Sequence, residues 1–297
     1  MHRVLGVVSW LDCLIFVIFL APQLLIDPHA GFVKVLFWLI AAIPYFGGGF
    51  TMGSSYFYLE FLASLASKLK DTGFKNPSVF AIDYTLVPDS KFPTQLNEAY
   101  KGYQILHELA REAELVICGD SAGGNLALAL LLRLARPPNG YEIDKSLRKP
   151  SYATLISPWT ILVSPNNDNT KGDFLDAPQL HKYGISYANS GDISDPYKSP
   201  GLCEDLRWWE EALPVNGVHV LYGNMEVFSA GIRKLISMIE EMKTIKLKVT
   251  ERTTVHAWPV VQLFLGSSMR EREEGLDIMA GAISEALLLR KTTDAPN

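Results

Sequence analysis

The chain has 297 residues, 48% of them hydrophobic and 20% charged, and carries a net charge of −5. That is enough apolar material for one well-cored domain, and the acidic balance argues against a nucleic-acid-binding surface. Three cysteines, Cys13, Cys118 and Cys203, provide neither a disulfide framework nor paired metal-ligand spacing.

From Val4 to Ile26 the chain is almost wholly apolar, broken by Ser9, Asp12 and Gln23, with Pro22 near the end. About 20 apolar residues cross a bilayer, and no small-x-small cleavage site is evident. The run is therefore expected to anchor the chain in a membrane, that of the endoplasmic reticulum by preference, with Arg3 on the cytosolic side. Asp12 supports the other reading, helices packed against the domain over residues 4–43, because a carboxylate at mid-membrane is costly. Without the anchor, the expected location is cytoplasmic. A second apolar run, Phe32 to Ile43, is short for a span and carries Lys34. It fits a membrane-lying helix or a strand ahead of the next motif. The expected division is an apolar, helical N-terminal segment over 1–43, a catalytic domain over 44–290 and a polar tail over 291–297.

The next motif is Phe46-Gly47-Gly48-Gly49-Phe50. Glycines allow a peptide to approach a substrate oxygen with no side chain in the way, which backbone donors to a developing oxyanion require. Tyr56 to Lys70 then reads as a helix, Val79 to Asp83 as a strand, Pro88 to Pro93 as a turn-rich connection and Thr94 to Arg111 as a second helix. Glu114 to Cys118 is a short buried strand, and Asn125 to Arg136 a leucine- and alanine-rich helix. Between them lies Gly119-Asp120-Ser121-Ala122-Gly123. A serine hydroxyl is a poor nucleophile until it is lifted clear of the backbone and given a base. The G-x-S-x-G turn does the lifting, and the flanking glycines let strand and helix approach closely. Ser121 is the expected nucleophile, and the Ala122 N–H one of the oxyanion donors.

Tyr152 to Ile156 is the next strand. Residues 160–214 are rich in Asn, Asp, Gly and Pro and read as an insert or lid, whose Phe174, Tyr183, Tyr187, Trp208 and Trp209 are candidates to line a pocket. Val218 to Tyr222 is a strand ending at Gly223-Asn-Met-Glu226-Val-Phe228, where Glu226 is the one carboxylate in the turn. A carboxylate there would hold an imidazole in its tautomer and stabilise the imidazolium. Of six histidines, His2 and His29 precede the domain, His107 lies in a helical pattern, His219 lies in a strand and His181 in the insert. His256 follows the alternating strand Lys246 to Thr250 and is the expected base. The strand–helix alternation predicts an α/β fold with a mostly parallel sheet flanked by helices.

The chain resembles the hormone-sensitive-lipase-like branch of the α/β-hydrolases, in particular the fungal fold-3 and steryl-acetyl-hydrolase type. The resemblance runs from Tyr45–Phe50 through Asp83–Pro88, Phe92-Pro93, Gly119–Asn125, Ile156–Trp159 and Asp195-Pro196 to Gly223–Phe228 and His256–Pro259. It implies Ser121 as nucleophile, Glu226 as acid, His256 as base and Gly48, Gly49 and Ala122 as oxyanion donors. It also implies a short-acyl, acetyl-like ester of an apolar alcohol as substrate, and no cofactor. Phe46 stands where the family's loop carries a histidine, and only 46 residues precede Gly47, where relatives carry the first strands of the sheet. These departures keep a second expectation open: an impaired or shortened homologue, or a membrane-associated binding protein.

Overall fold

The computed structural model describes residues 33–39, 49–51, 58–140 and 142–288. Six strands form one sheet in the order β2-β1-β3-β4-β5-β6, with every pairing parallel. They are β1 (Val33–Leu39), β2 (Asn76–Ile82), β3 (Leu115–Asp120), β4 (Tyr152–Ile156), β5 (Val218–Gly223) and β6 (Leu247–Arg252). The helices are α1 (Leu59–Asp71), α2 (Thr94–Leu109), α3 (Ala122–Ala135), α4 (Ala177–Ala188), α5 (Leu206–Ala212), α6 (Ser229–Glu241), α7 (Trp258–Leu265) and α8 (Met269–Leu287).

Parallel strands need long crossovers, and the helices that fill them cover both faces of the sheet. The sequence period shows this directly in β3. Val116 and Cys118 join the core that contains α1, α7 and α8, while Leu115 and Ile117 join the core that contains α2, α3 and α6. Alternate residues serve opposite faces, so the strand is apolar throughout and buried at every position. Burial at Cys118 pushes its thiol up from the ordinary value, consistent with strand filling and an inert sulfur. Helix α3 is the central support. Leu126 to Leu132 are all at 0% exposure, so it is enclosed on every side rather than laid on the surface. At the far edge, β6 leaves Lys248, Val249, Glu251 and Arg252 exposed, and charges on an edge strand discourage pairing with another chain.

Two expectations need correction. The apolar N-terminal segment is not helical over Val33–Leu39: of the two readings of Phe32 to Ile43 the strand is the one found, and these residues form β1, inside the sheet between β2 and β3. An interior parallel strand is apolar on both faces, so its pattern lacks alternation and is easily taken for a buried helix. The sheet also takes in residues before 44, so that boundary cuts through the folded unit. No described helix is long and apolar enough to cross a membrane, and the run Val4 to Ile26 lies outside the described residues.

Candidate active site

The C-terminal ends of β3, β4, β5 and β6 lie along one edge of the sheet, because the strands are parallel and their registers are aligned. Asp120 pairs with Ile156, Ile156 with Leu221, and Gly223 with Arg252. Each of these strands hands the chain to a loop or helix that carries one member of the site.

Ser121 follows β3 directly and heads α3. Its φ of 52° and ψ of −118° put a non-glycine residue in a conformation that L-residues rarely adopt. The turn is fixed by the backbone: Ser121 N donates to Ile156 O at 3.0 Å, and Ser121 O accepts from Asn125 N at 3.1 Å and Trp159 N at 2.9 Å. Close approach explains the first glycine. A Cβ on Gly119 would lie 2.4 Å from Gly123 O, which no side chain tolerates. Ala122 opens α3, so its N–H is one of the first-turn donors without an intrahelical acceptor. Asp120, fully buried, accepts from Tyr58 Oη at 2.6 Å through Oδ2.

Glu226 follows β5 and is 1% exposed. Its Oε2 accepts from Ser157 Oγ at 2.6 Å and Gly223 N at 3.1 Å, and lies 3.7 Å from His256 Nδ1. His256 follows β6 and is likewise 1% exposed, with neither ring nitrogen hydrogen-bonded. The 3.7 Å gap is an ion-pair distance, longer than a hydrogen bond. Burial pulls the His256 imidazole down, but Glu226, helped by Asp173 and Asp120, outweighs it, and the net movement is upward. Burial likewise pushes the Glu226 carboxyl up, against the pull of His256, Ser157 and the Gly223 N–H. The imidazole is enclosed by rings: Phe228 edge-on at 5.2 Å and Phe174 at 6.1 Å, with Trp159 stacked on Phe228 at 5.3 Å.

Ser157 was legible only as part of the Ile156–Trp159 motif. Its hydroxyl donates to Glu226 and accepts from Ala257 N at 2.9 Å, so one oxygen ties the acid to the residue after His256. The backbone is strained at Ser157 itself, with φ of 44°, and at the tied Ala257, with φ of 50°.

Phe46, Gly47 and Gly48 lie outside the described residues. Gly49 has φ of 38°, and a Cβ there would meet Tyr183 Cδ2 at 2.8 Å. Phe50 stacks on Tyr187 at 3.7 Å with an interplanar angle of 6°. Tyr183 and Tyr187 belong to α4, so the 160–214 segment packs directly on the end of the glycine loop. The paired tryptophans are elsewhere. Trp209 is fully buried, with Nε1 donating to Cys203 O, and is core. Trp208 is half-buried, with Nε1 donating to Leu132 O of α3, and lines a surface cavity with Phe92, Arg133, Arg136 and Tyr197, near the C-terminal end of α3 and so at the end away from Ser121. His181 sits on α4 and His107 on α2. His219 is buried within β5 beside Thr250 Oγ1 at 2.8 Å, and burial pulls it down to about 3. Among the described residues, no group of His, Cys, Asp and Glu is placed to hold a metal ion.

A serine on a strand–turn–helix corner, with partners after later strands in the order acid then histidine, is the architecture of the α/β-hydrolases. A family model described as alpha/beta hydrolase fold matches residues 43–257, and the chain belongs to this family. It is 29% identical to an esterase of Acinetobacter venetianus over 224 residues, 73% of this chain and 66% of that protein. It is also 29% identical to an acetyl-hydrolase of Streptomyces hygroscopicus over 159 residues, 52% of this chain and 48% of that one. The chain thus spans about half to two thirds of these relatives' lengths. Among solved structures, a hormone-sensitive lipase from a metagenome library superimposes with a TM-score of 0.67 at 23% identity, covering 88% of this chain and 80% of that one.

Proposed function

We propose that the chain is a serine carboxylic-ester hydrolase acting on short-acyl, acetyl-like esters of apolar alcohols. The observation that carries the reading is the convergence, at one sheet edge, of a strained elbow serine with a buried carboxylate–imidazole pair. Ser121 Oγ attacks the ester carbonyl as His256 takes its proton, and Glu226 stabilises the imidazolium so formed. The oxyanion rests on the N–H groups of Ala122, Gly49 and Gly48. His256 returns the proton to the leaving alcohol, an acyl–Ser121 ester remains, and water activated by the same imidazole releases the acid. Tightening of the 3.7 Å Glu226–His256 gap on substrate binding fits the looseness common in unliganded sites.

The substrate class rests on the resemblance and on the names of the esterase and acetyl-hydrolase relatives. A sterol or other lipid alcohol is the finer form of the proposal. The rings of Phe174, Phe228 and Tyr183 around the site suit an apolar ligand. The 160–214 segment, packed on the glycine loop, is proposed to act as the lid.

Labelling with a fluorophosphonate probe tests the reading. The folded wild type is expected to label and to hydrolyse p-nitrophenyl acetate faster than longer-acyl esters. Ser121→Ala is expected to lose both activities while keeping its melting temperature. A folded wild type that neither labels nor turns over would replace this reading with that of an impaired homologue.

A further inference from the structure

Asp173 lies in the 160–214 segment just ahead of α4, in a stretch whose composition marks it only as loop. Its carboxylate takes backbone donors from the two loops that carry the acid and the base. Oδ1 accepts from His256 N at 3.1 Å, and Oδ2 accepts from Val227 N at 2.9 Å. Oδ1 also accepts from Phe174 N at 2.9 Å, so three N–H groups converge on one side chain. A solvated loop carboxylate has no reason to collect donors 54 and 83 residues away in sequence.

The neighbouring residues lie along the same loops. Thr170 Oγ1 donates to Met225 O. Gly172 is so close to Met225 that a Cβ would meet its Sδ at 2.8 Å. The Phe174 ring is edge-on to the His256 imidazole. Residues 170–174 therefore run across 225–227 and reach 256 as one strap, with Asp173 making the bonds to both sides.

We propose that Asp173 is a positioning residue, through which the 160–214 segment holds the Glu226 and His256 loops at their working separation. The proposal rests on the catalytic roles given above. It has an electrostatic corollary. The charged groups that act on His256 are Glu226 after β5, Asp173 on the strap and Asp120 at the end of β3, and each favours the imidazolium. Removing the Asp173 charge makes His256 easier to deprotonate.

The test compares wild type, the isosteric Asp173→Asn and Asp173→Ala in pH–rate profiles with p-nitrophenyl acetate, alongside NMR titration of the histidines. Both variants are expected to lose about 10- to 100-fold in kcat, the scale of a misplaced catalytic group, with KM within about threefold. The acid limb of the profile and the His256 titration should both move to lower pH. A merely structural role would lower melting temperature and the active fraction but leave the limb and the titration in place. If Asp173→Ala does not fold, Asp173→Asn decides. Unchanged kcat and an unmoved limb, with the wild type active and Ser121→Ala inert, would overturn this proposal alone. A folded but inert wild type would overturn the catalytic reading and this proposal with it.

Discussion

Ser121 and the Glu226–His256 pair sit at the same sheet edge but are held there by different means. Around Ser121 the constraint is backbone: main-chain hydrogen bonds to Ile156, Asn125 and Trp159, the close approach of Gly119 to the Gly123 carbonyl, and an α3 with no exposed apolar face. Around Glu226 and His256 the constraint is side chain: the Ser157 hydroxyl, the Asp173 carboxylate and two phenylalanine rings. Backbone geometry fails together with the fold. Side-chain geometry can be altered one atom at a time, so the Glu226–His256 pair is the adjustable half of the candidate site.

The largest effect should come from Gly119→Ala. The added methyl meets the Gly123 carbonyl, which belongs to the helix start and cannot move alone. Overpacking of this kind costs about 1–3 kcal/mol or more, which for a domain of this size lowers Tm by roughly 2–10 °C. Differential scanning calorimetry would measure it, with activity falling in parallel. Gly281→Ala is the control, since a Cβ there meets nothing within 4 Å on the exposed side of α8, and about 1 kcal/mol of helix propensity should raise Tm. Equal behaviour of the two variants would break the contrast between constrained and free backbone.

Ser157→Ala should have an intermediate effect, read chiefly in the rate with a smaller loss of Tm. It removes a hydrogen bond to a buried carboxylate, worth about 1.5–3 kcal/mol, or roughly 10- to 100-fold in kcat/KM. Ser157→Gly, which also accepts the φ of 44° without strain, should show the same rate loss with less loss of Tm. Wild-type kcat/KM in either variant would remove Ser157 from the site.

The smallest effect is a displacement in pH. In the proposed mechanism His256 must be neutral to accept the serine proton, and although burial pulls it down, Glu226 outweighs that and the net movement is upward. Activity should therefore rise with pH through a value above the ordinary imidazole pKa of about 6.5. Histidine NMR titration should show His219 uncharged across the same range, since burial in β5 holds it at about 3. A His256 that titrates below 6.5 would mean that burial outweighs the carboxylates.

The same division explains what could be read from the chain. Ser121 was legible because turn chemistry is local: glycine spacing, a strand before and a helix after suffice. β4 was legible to the residue because an apolar run stopped by Pro158 has one reading. His256 was reached by elimination and by its place after β6. β1 was not separable from a buried helix, because interior strands carry no alternation. Asp173 was invisible, because its role is made of bonds to two loops distant in sequence, and nothing in a polar stretch announces them. Trp209 misled in the opposite direction: a large ring suggests a pocket, but this one is fully buried with its indole N–H on Cys203 O.

The interior position of β1 also constrains the order in which the molecule is built. Val33–Leu39 can pair with β2 once Ile82 has left the ribosome, but the other side of β1 waits for Leu115 to Gly119. Until then a nascent two-stranded ribbon shows an open, apolar edge, the kind of surface that recruits chaperones or other chains. The strand that completes this edge is the one that delivers Ser121. The same stretch of chain thus covers this side of β1 and places Ser121 on its corner, and the open edge then passes to β3 until Tyr152–Ile156 pairs with it.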